Sequence, residues 1–415
     1  METKGRRPMR TMRFYPMLAT FLAASIPLLA ACTKGAPSDL QGSSNGGGAG
    51  GGDTAAGGDT VVDDAPVLDK KGILLLDSRP KDYNEALRTA SIKLVRQLPT
   101  LAQIKAVAGA KDQKAEYESQ IDAMLVDPRF NERMIKWWKD VMRMGGGASG
   151  KAPSRDSAPT FAARIMAEGR PFTDLFTASA NNCPTYDNAA HAFVDGTCQS
   201  GAPAEAGVLT DPGVMYQFYG SMAFRRVRWV QEIFVCTKFP AEYSGTPVHK
   251  GSADYTSPWP FESVATAPID FQDTKSVICA NCHTTINHVA PLFGNFDENG
   301  AFQNKIAVMT PTAPDAVPTE MSHWLKAGET TTWRMKTPAA DLPSLGAAIA
   351  KDPDVGECAV TRMWNFTMSK EDVVSDLATV PAAVLKPYLA EFEGNGQDLK
   401  KTLRAMLTSD DFTHF

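Results

Sequence analysis

The chain has 415 residues, a formal net charge of −5, 43% hydrophobic residues and 21% charged residues. These values are typical of a folded globular protein and exclude a disordered, collagen-like or polytopic membrane chain. The negative charge argues against nucleic acid as a partner. The seven cysteines are the most informative residues, because their positions bear on the compartment, the anchoring and the chemistry.

Residues 1–31 have the pattern of a secretory signal peptide. Five basic residues lie in the first 13 positions, and the apolar run that follows is shorter than the roughly 20 residues of a transmembrane helix. The run ends in a Leu-Ala-Ala-Cys sequence at residues 29–32, which resembles the bacterial lipobox. The resemblance implies cleavage before Cys32 and lipidation of Cys32, and Thr33 at the next position implies the outer membrane. The alternative is a signal peptide with a chance cysteine.

Residues 32–66 are predicted to form a flexible tether. The segment is rich in Gly, Ser and Ala, a composition that cannot bury apolar surface. Removal of residues 1–31 takes away five positive charges and one negative charge, which changes the net charge from −5 to about −9. We therefore expect an acidic, soluble body held off a membrane.

Helical periodicity dominates the rest of the chain, which predicts an all-α or mainly α fold with a c-type haem-binding segment and long irregular loops. Residues 84–143 show helical spacing, with breaks at Pro99-Thr100 and Asp127-Pro128. Two apolar stripes are predicted in this range: Ile92, Leu94, Val95 and Leu98, and then Phe130, Met134, Trp137, Trp138, Val141 and Met142. The helical spacing continues between them at Leu101, Ile104 and Val107 and at Tyr117, Ile121, Met124 and Leu125. Further helices are predicted at about 159–180, 213–236, 343–366, 380–393 and 397–408, and 237–275 is predicted to be irregular.

Three folded domains are predicted from these patterns. They are an N-terminal helical domain at 67–145, a haem-motif domain at 159–340 and a C-terminal helical domain at 341–415. A Gly- and Ala-rich loop at 144–158 separates the first two.

The motif that carries chemistry is Cys-Ala-Asn-Cys-His at residues 279–283, the c-type haem attachment pattern. Cysteines three positions apart on a helical turn face the same way, so Cys279 and Cys282 can both bond to one edge of a porphyrin, and His283 can bind its iron. The motif predicts one covalent haem c. A zinc site would need four ligands, and only His288 is close by. A thioredoxin-type dithiol would need a βαβ context, which the pattern lacks.

The four remaining cysteines fit an oxidising compartment. Cys183 and Cys198 bracket a short Asn-, Gly- and Asp-rich loop and are predicted to pair. Cys236 and Cys358 are then left as a second pair, although four cysteines allow three connectivities.

The second axial ligand of the iron is left open by the sequence. Met335, in an Arg-Met-Lys-Thr-Pro sequence, is the best candidate, and we expect His288 to stay on the proximal side. The other candidates are Met309, Met321, His323, Met363 and Met368. An iron with no second protein ligand would favour peroxidase or oxygenase chemistry over electron transfer.

Three segments resemble the planctomycete-type cytochrome lipoproteins, a family built of domains of unknown function. In 205–300 the matching elements are residues 207–210, 226–230, Cys236, the haem motif, Phe296-Asp297 and Gly300. Residues 87–143 resemble the helical domain that precedes it, and 345–415, with Cys358, Arg362 and Phe366, resemble the short domain that follows. The chain departs from the family at Val227, where Gly is usual, and at 287–294, where Asp-Pro-Leu-Gly is usual. The resemblance implies a surface or periplasmic haem protein, often part of a multi-protein system.

The sequence as a whole predicts a lipid-anchored monohaem c-type cytochrome-like protein of the bacterial cell envelope. Its expected activity is one-electron transfer with an envelope redox partner, at the outer membrane, without nucleic acid. Two alternatives stay open: a haem enzyme with an open iron site, and an envelope interaction module in which the haem is structural. Whether the protein is an enzyme is therefore undecided at this stage.

Overall fold

A computed structural model describes residues 79–237, 248–250, 253–255, 272, 277–310, 313–372 and 379–415. Within these ranges, the side chains at 221, 248–250, 253–255, 277–282, 309 and 313–315 lie outside the description. The predicted signal peptide, Cys32, the tether and most of the predicted irregular segment also lie outside the described residues. All of the described residues belong to one unit of the chain, Asp64–Phe415.

The described residues are mainly α-helical, as predicted. The α-helices are α1 (Tyr83–Val95), α2 (Leu101–Gly109), α3 (Gln113–Leu125), α4 (Pro128–Met142), α5 (Ser157–Glu168), α6 (Asp174–Thr177), α7 (Pro212–Gln217), α8 (Phe224–Phe234), α9 (Val277–Val289), α10 (Leu342–Ala350), α11 (Pro353–Thr367), α12 (Ala382–Gly394), α13 (Leu399–Leu407) and α14 (Asp410–Thr413). The strands are β1 (Thr185–Asp187), β2 (Ala192–Val194), β3 (Val248–Lys250), β4 (Ala253–Tyr255), β5 (Ala307–Thr310), β6 (Ala313–Pro318), β7 (Thr332–Trp333) and β8 (Thr337–Pro338). The strands form antiparallel pairs in chain order.

Local capping explains where many of these helices begin. Aspartate side chains accept hydrogen bonds from first-turn N–H groups in seven described helices, at Asp82, Asp112, Asp127, Asp211, Asp341, Asp352 and Asp398. Thr100 and Gln103 form a capping box at α2. Pro128 follows Asp127 as the first residue of α4, where a missing N–H costs nothing. Both helix breaks predicted in 84–143 are therefore confirmed.

The first predicted apolar stripe is only partly buried. Leu94 and Val95 lie in the core, whereas Ile92 is 46% exposed and Leu98 is 64% exposed. The helix ends at Arg96, which adopts a left-handed φ of 57°, so Leu98 lies beyond α1 and cannot share its face. The placement of Leu98 on this stripe was therefore wrong. The second stripe, on α4, is buried at all six positions.

Aromatic side chains from distant parts of the chain meet in the core. Trp137 of α4 packs against Phe366 of α11, with ring centroids 5.5 Å apart. Trp138 stacks on Phe172 at 6.2 Å, and Phe172 contacts Phe392 of α12 at 6.4 Å. The predicted domains thus share a packed core, while the positions of their boundaries stay a prediction.

Candidate functional site

The haem motif lies within helix α9 (Val277–Val289). Positions 279 and 282 are three residues apart, and 283 is four residues from 279. Positions separated by three and four residues share one face of an α-helix. The helix therefore gives the three motif positions the common face that the chemistry requires.

The ring of His283 is held by a residue one helical turn further along. Its Nδ1 lies 3.0 Å from Oδ1 of Asn287, and the edge of its ring packs against Phe224 with centroids 5.0 Å apart. An amide oxygen can only accept, so Nδ1 carries the proton and the ring's lone pair lies on Nε2. Burial lowers the pKa of His283, with the Asn287 hydrogen bond acting in the opposite sense. Burial thus favours the neutral ring, and the Asn287 contact favours the tautomer with its lone pair on Nε2.

His288 has a structural role in the same helix. Only 4% of the residue is exposed, its Nδ1 lies 2.7 Å from the carbonyl oxygen of Thr284, and its Nε2 lies 3.9 Å from a carboxylate oxygen of Glu329. The five-residue separation from His283 turns it to another side of α9. The expectation that His288 stays on the proximal side of the haem remains a prediction.

Arg226 of α8 holds the chain segment that follows α9. The guanidinium is buried, 2% exposed, and donates to the carbonyl oxygens of Phe293 at 2.8 Å, Phe296 at 3.1 Å and Asp297 at 3.3 Å. It also donates twice to the carbonyl oxygen of Met215, at 2.8 Å and 3.2 Å. Burial lowers the pKa of Arg226 to about 10, which leaves it charged at neutral pH. Arg226 thereby fixes the C-terminal end of the motif segment to α7 and α8.

A tight turn at residues 297–301 begins at one of the carbonyl groups that Arg226 holds. The Asp297 side chain accepts from the backbone N–H groups of Asn299 and Ala301, which forms a tight turn. Gly300 completes the turn with a φ of 78°, and a Cβ there would lie 2.1 Å from the carbonyl oxygen of Pro212. Only glycine fits this position, since both its conformation and the close approach exclude a side chain.

A second buried arginine, Arg362 of α11, holds the C-terminal end of α8. It is 1% exposed and donates to the carbonyl oxygens of Ile233 at 3.2 Å and Glu232 at 3.1 Å. It also forms an ion pair with Asp372 at 2.8 Å. The end of α8 is therefore tied to the C-terminal helices next to a disulfide.

Both predicted disulfides are present. Cys183 is bonded to Cys198 across the base of the β1–β2 hairpin, and Cys236 is bonded to Cys358. The second bridge joins the end of α8 to α11, across a sequence separation of 122 residues. Of the three connectivities that four cysteines allow, the predicted one is confirmed.

The candidates for a second axial ligand lie in several places. Met335 is in the β7–β8 turn and is 48% exposed, and β7 packs against α9. Met321 is 46% exposed, whereas Met363 is buried in the core. His323 has a buried Nδ1 with no hydrogen-bond partner in the described part of the chain. Met368 ends α11 and packs at the edge of the core, and the side chain of Met309 lies outside the description. The assignment of Met335 stays a prediction.

Residues 279, 282 and 283 are of the types that a covalent haem c requires, and the side chains of Cys279 and Cys282 lie outside the description. Cys279 and Cys282 would hold the porphyrin, and His283 would bind the iron through Nε2. The hydrogen bond at Nδ1 is the outer contact that metal-binding histidines usually have, because it orients the ring and sets the tautomer. The contact with Asn287 is local to α9, one helical turn beyond the motif, and the motif itself does not contain it.

The contacts of three side chains were not predicted from the sequence. Asn287 could have been found from its position four residues after His283, which is one turn of helix. Asp211 has the Asp-Pro pattern of a helix start, but its contact with a disulfide depends on the fold. The clamp made by Arg226 joins residues about 70 positions apart, and no local pattern predicts such a contact.

One protein family matches part of the chain. Residues 67–208 match PSCyt2, which is described as a protein of unknown function (DUF1549). No curated protein and no solved structure matches the chain. The match covers the predicted N-terminal helical domain and ends before the haem motif. It agrees with the resemblance at family level and carries no information on the cofactor or the activity. Within the described residues, no helix has the length and apolar character needed to span a bilayer.

Proposed function

We propose that this protein is a monohaem c-type cytochrome-like protein, anchored by lipid on Cys32 to the bacterial cell envelope, that transfers one electron to or from an envelope partner. The observation that carries the proposal is the Cys-x-x-Cys-His motif on a single helix, with the imidazole of His283 already oriented by Asn287. A chance occurrence of the pentapeptide would not require the Nδ1 of His283 to have a hydrogen-bond acceptor.

The residues around the motif have separate tasks in this proposal. His283 binds iron, Asn287 orients its ring, and Phe224 packs against the ring edge and limits the access of water. Arg226 keeps the segment after α9 in place. When bound, the haem would supply an Fe(III)/Fe(II) couple for one-electron transfer.

The proposal is tested by expressing the chain in a host with cytochrome c maturation proteins. The purified protein should carry covalent haem, detected by a haem stain after denaturing electrophoresis and by a pyridine haemochrome spectrum. The double variant Cys279→Ser/Cys282→Ser should lose the stain. As the matched control, Cys183→Ser/Cys198→Ser removes two other cysteines and should keep it. Absence of the stain in the unmodified chain would refute the cofactor assignment.

Spectra of the same protein separate electron transfer from the alternatives. A low-spin ferric spectrum with a methionine–iron charge-transfer band supports electron transfer. A high-spin ferric spectrum with carbon monoxide binding in the reduced state supports a haem enzyme with an open site. If His283→Ala keeps the binding of a partner while losing redox activity, the haem is structural in an interaction module.

The proposed location has its own test. Cells grown with radioactive palmitate should label the wild-type chain and leave Cys32→Ala unlabelled, and fractionation should place the labelled chain in the outer membrane. Labelling of the Cys32→Ala chain would show that the lipid is elsewhere.

A further inference from the structure

The Cys183–Cys198 disulfide forms part of the wall of a cavity of about 560 Å³. The cavity lies between α4, the start of α5, the β1–β2 hairpin and the start of α7, and both cysteines line it together with Ile135, Tyr186 and Pro212. Both bridged residues therefore border the cavity, and 5% of Cys198 is exposed. A cavity of this size admits a small dithiol or the side chains of a partner's reactive loop.

A buried carboxyl group lies directly against this disulfide. Oδ2 of Asp211 is 3.2 Å from Sγ of Cys183, while Oδ1 accepts from the N–H of Val214 at 2.9 Å. The two sulfur atoms and one Asp211 oxygen lie within 4.8 Å of one another. Asp211 itself is fully buried, so its proton can pass to a sulfur atom without leaving the protein.

The surroundings of Asp211 keep it protonated well above the usual range of a carboxyl group. Burial raises the pKa of Asp211 to about 6, and the nearby charge of Glu205 acts in the same sense, against hydrogen bonds from Ser157 and the α7 backbone. The other charged groups on the cavity also have partners: Lys139 forms an ion pair with Asp156 at 2.9 Å, and a carboxylate oxygen of Glu132 lies 3.0 Å from Nδ1 of His191.

The second disulfide has different surroundings. Sγ of Cys236 lies 3.8 Å from the carbonyl oxygen of Cys358, and Sγ of Cys358 lies 3.6 Å from that of Ile233. Its polar contacts in the described part of the chain are thus backbone carbonyls, which have no proton to donate. The molecule therefore contains a natural control for the first bridge.

We propose that the Cys183–Cys198 bridge is a redox-exchangeable site, reduced by a dithiol that enters the cavity, with Asp211 donating the proton to the leaving sulfur. A thiolate of the dithiol attacks Sγ of Cys198, the bond between the two cysteines breaks, and its electron pair goes to Sγ of Cys183. That sulfur takes the proton of Asp211, after which the Cys183 thiol donates back to the Asp211 carboxylate.

The second half of the exchange releases the reductant. The second thiolate of the dithiol attacks the dithiol's sulfur atom in the mixed disulfide and expels Cys198 as a thiolate. That thiolate takes a proton from solvent. The protein disulfide gains two electrons and two protons, and the dithiol becomes a disulfide. The two thiols of the dithiol release their protons to solvent, and Asp211 takes a proton back from solvent.

The test compares the two bridges within one molecule. The purified full chain is treated with dithiothreitol under native conditions, quenched at intervals with iodoacetamide and analysed by peptide mass spectrometry. We expect reduction of Cys183–Cys198 to be at least about tenfold faster than that of Cys236–Cys358, since a positioned acid typically contributes about 100-fold or more. Equal rates would overturn the proposal.

A variant separates proton donation from simple exposure. Asp211→Asn keeps a side-chain oxygen that can cap α7 and should slow reduction of the first bridge about tenfold, while Glu132→Gln, on the same cavity, should leave it unchanged. The rate of reduction of the first bridge is divided by the concentration of dithiothreitol thiolate at each pH. This corrected rate should fall in the wild type as pH rises above 6 and should not change with pH in Asp211→Asn. An unchanged rate in Asp211→Asn, or a flat wild-type profile, would also overturn the proposal. The two-bridge comparison in the unmodified chain does not depend on whether the variant folds.

Discussion

Substitution of Arg226 by lysine should destabilise the fold, because lysine keeps the charge and loses the geometry. The guanidinium donates five hydrogen bonds to carbonyl oxygens of four residues. An ammonium group on a single flexible stem cannot reach carbonyls on both α7 and the segment after α9. At least two buried carbonyls should therefore lose their donor.

The magnitude follows from the burial of these groups. A buried acceptor left without a partner costs about 1–3 kcal/mol, so we expect Arg226→Lys to lower the free energy of unfolding by about 3–5 kcal/mol. That is a large part of the roughly 5–15 kcal/mol by which folded proteins are stable. The neighbouring Arg225 is the matched control, since it is exposed and donates to the carbonyl oxygen of Tyr219 at 3.0 Å.

The measurement is equilibrium unfolding in guanidinium chloride, followed by tryptophan fluorescence and far-ultraviolet circular dichroism. Arg225→Lys should stay within about 0.5 kcal/mol of the wild type. Hydrogen exchange should also become faster at backbone amides of 290–297 in Arg226→Lys and not in Arg225→Lys. If the two variants were equally stable, the guanidinium would not be the clamp that its contacts indicate.

Three further predictions concern a carboxyl group, a ligand contact and a disulfide. An unfolded carboxyl group ionises near pH 4 and buried Asp211 near 6, so wild-type stability relative to Asp211→Asn should fall by up to about 3 kcal/mol as pH rises from 4 to above 6; a constant difference in unfolding free energy would contradict this. Asn287→Ala should raise the midpoint potential of the holoprotein, because the imidazole of His283 loses its acceptor at Nδ1 and binds ferric iron less tightly. The rise should be about 60 mV for each tenfold loss of affinity for the ferric iron. An unchanged potential in a spectroelectrochemical titration would contradict this. Cys236→Ser/Cys358→Ser should lower the free energy of unfolding by about 5 kcal/mol, since the bridge spans 122 residues. Removal of the Cys183–Cys198 bridge, which spans 15 residues, should lower it by about 3 kcal/mol. Equal losses in denaturant unfolding would contradict the loop-length argument.

Features determined by neighbouring residues were predictable from the sequence. The helix starts at Thr100 and Pro128 depend on capping within one turn, and the buried face of α4 depends on spacing alone. The three motif residues on α9 are close in the chain, so a helix is enough to bring their positions together. Even here a local feature could mislead, since the left-handed residue at Arg96 ends α1 before the apolar stripe is complete.

Features that depend on distant contacts were not predictable. Arg226 reads as one basic residue in a helix, and its burial follows only when the carbonyls of 293–297 are placed around it. Asp211 reads as a helix cap, which it is, but the sulfur of Cys183 is 28 positions away. The buried charge of Arg226 follows no periodic pattern, because its hydrogen-bond acceptors are backbone carbonyl groups that any sequence provides.

The distal ligand is the hardest feature to predict from the sequence, because the candidates lie far along the chain from the haem motif. The structure allows a direct test of Met335. The two residues before it are held by one carboxylate: Asp352 accepts from the indole N–H of Trp333 at 2.8 Å and pairs with Arg334 at 3.0 Å. Arg334 and Met335 have φ values of 49° and 60°, a conformation that costs non-glycine residues about 1–2 kcal/mol each and that orders the turn beside α9. We predict that Met335→Ala converts a low-spin ferric spectrum to a high-spin one, whereas Met321→Ala, with similar exposure, leaves it unchanged. A low-spin spectrum that survives Met335→Ala would exclude Met335 as the ligand and direct attention to His323, whose buried Nδ1 has no hydrogen-bond partner among the described residues.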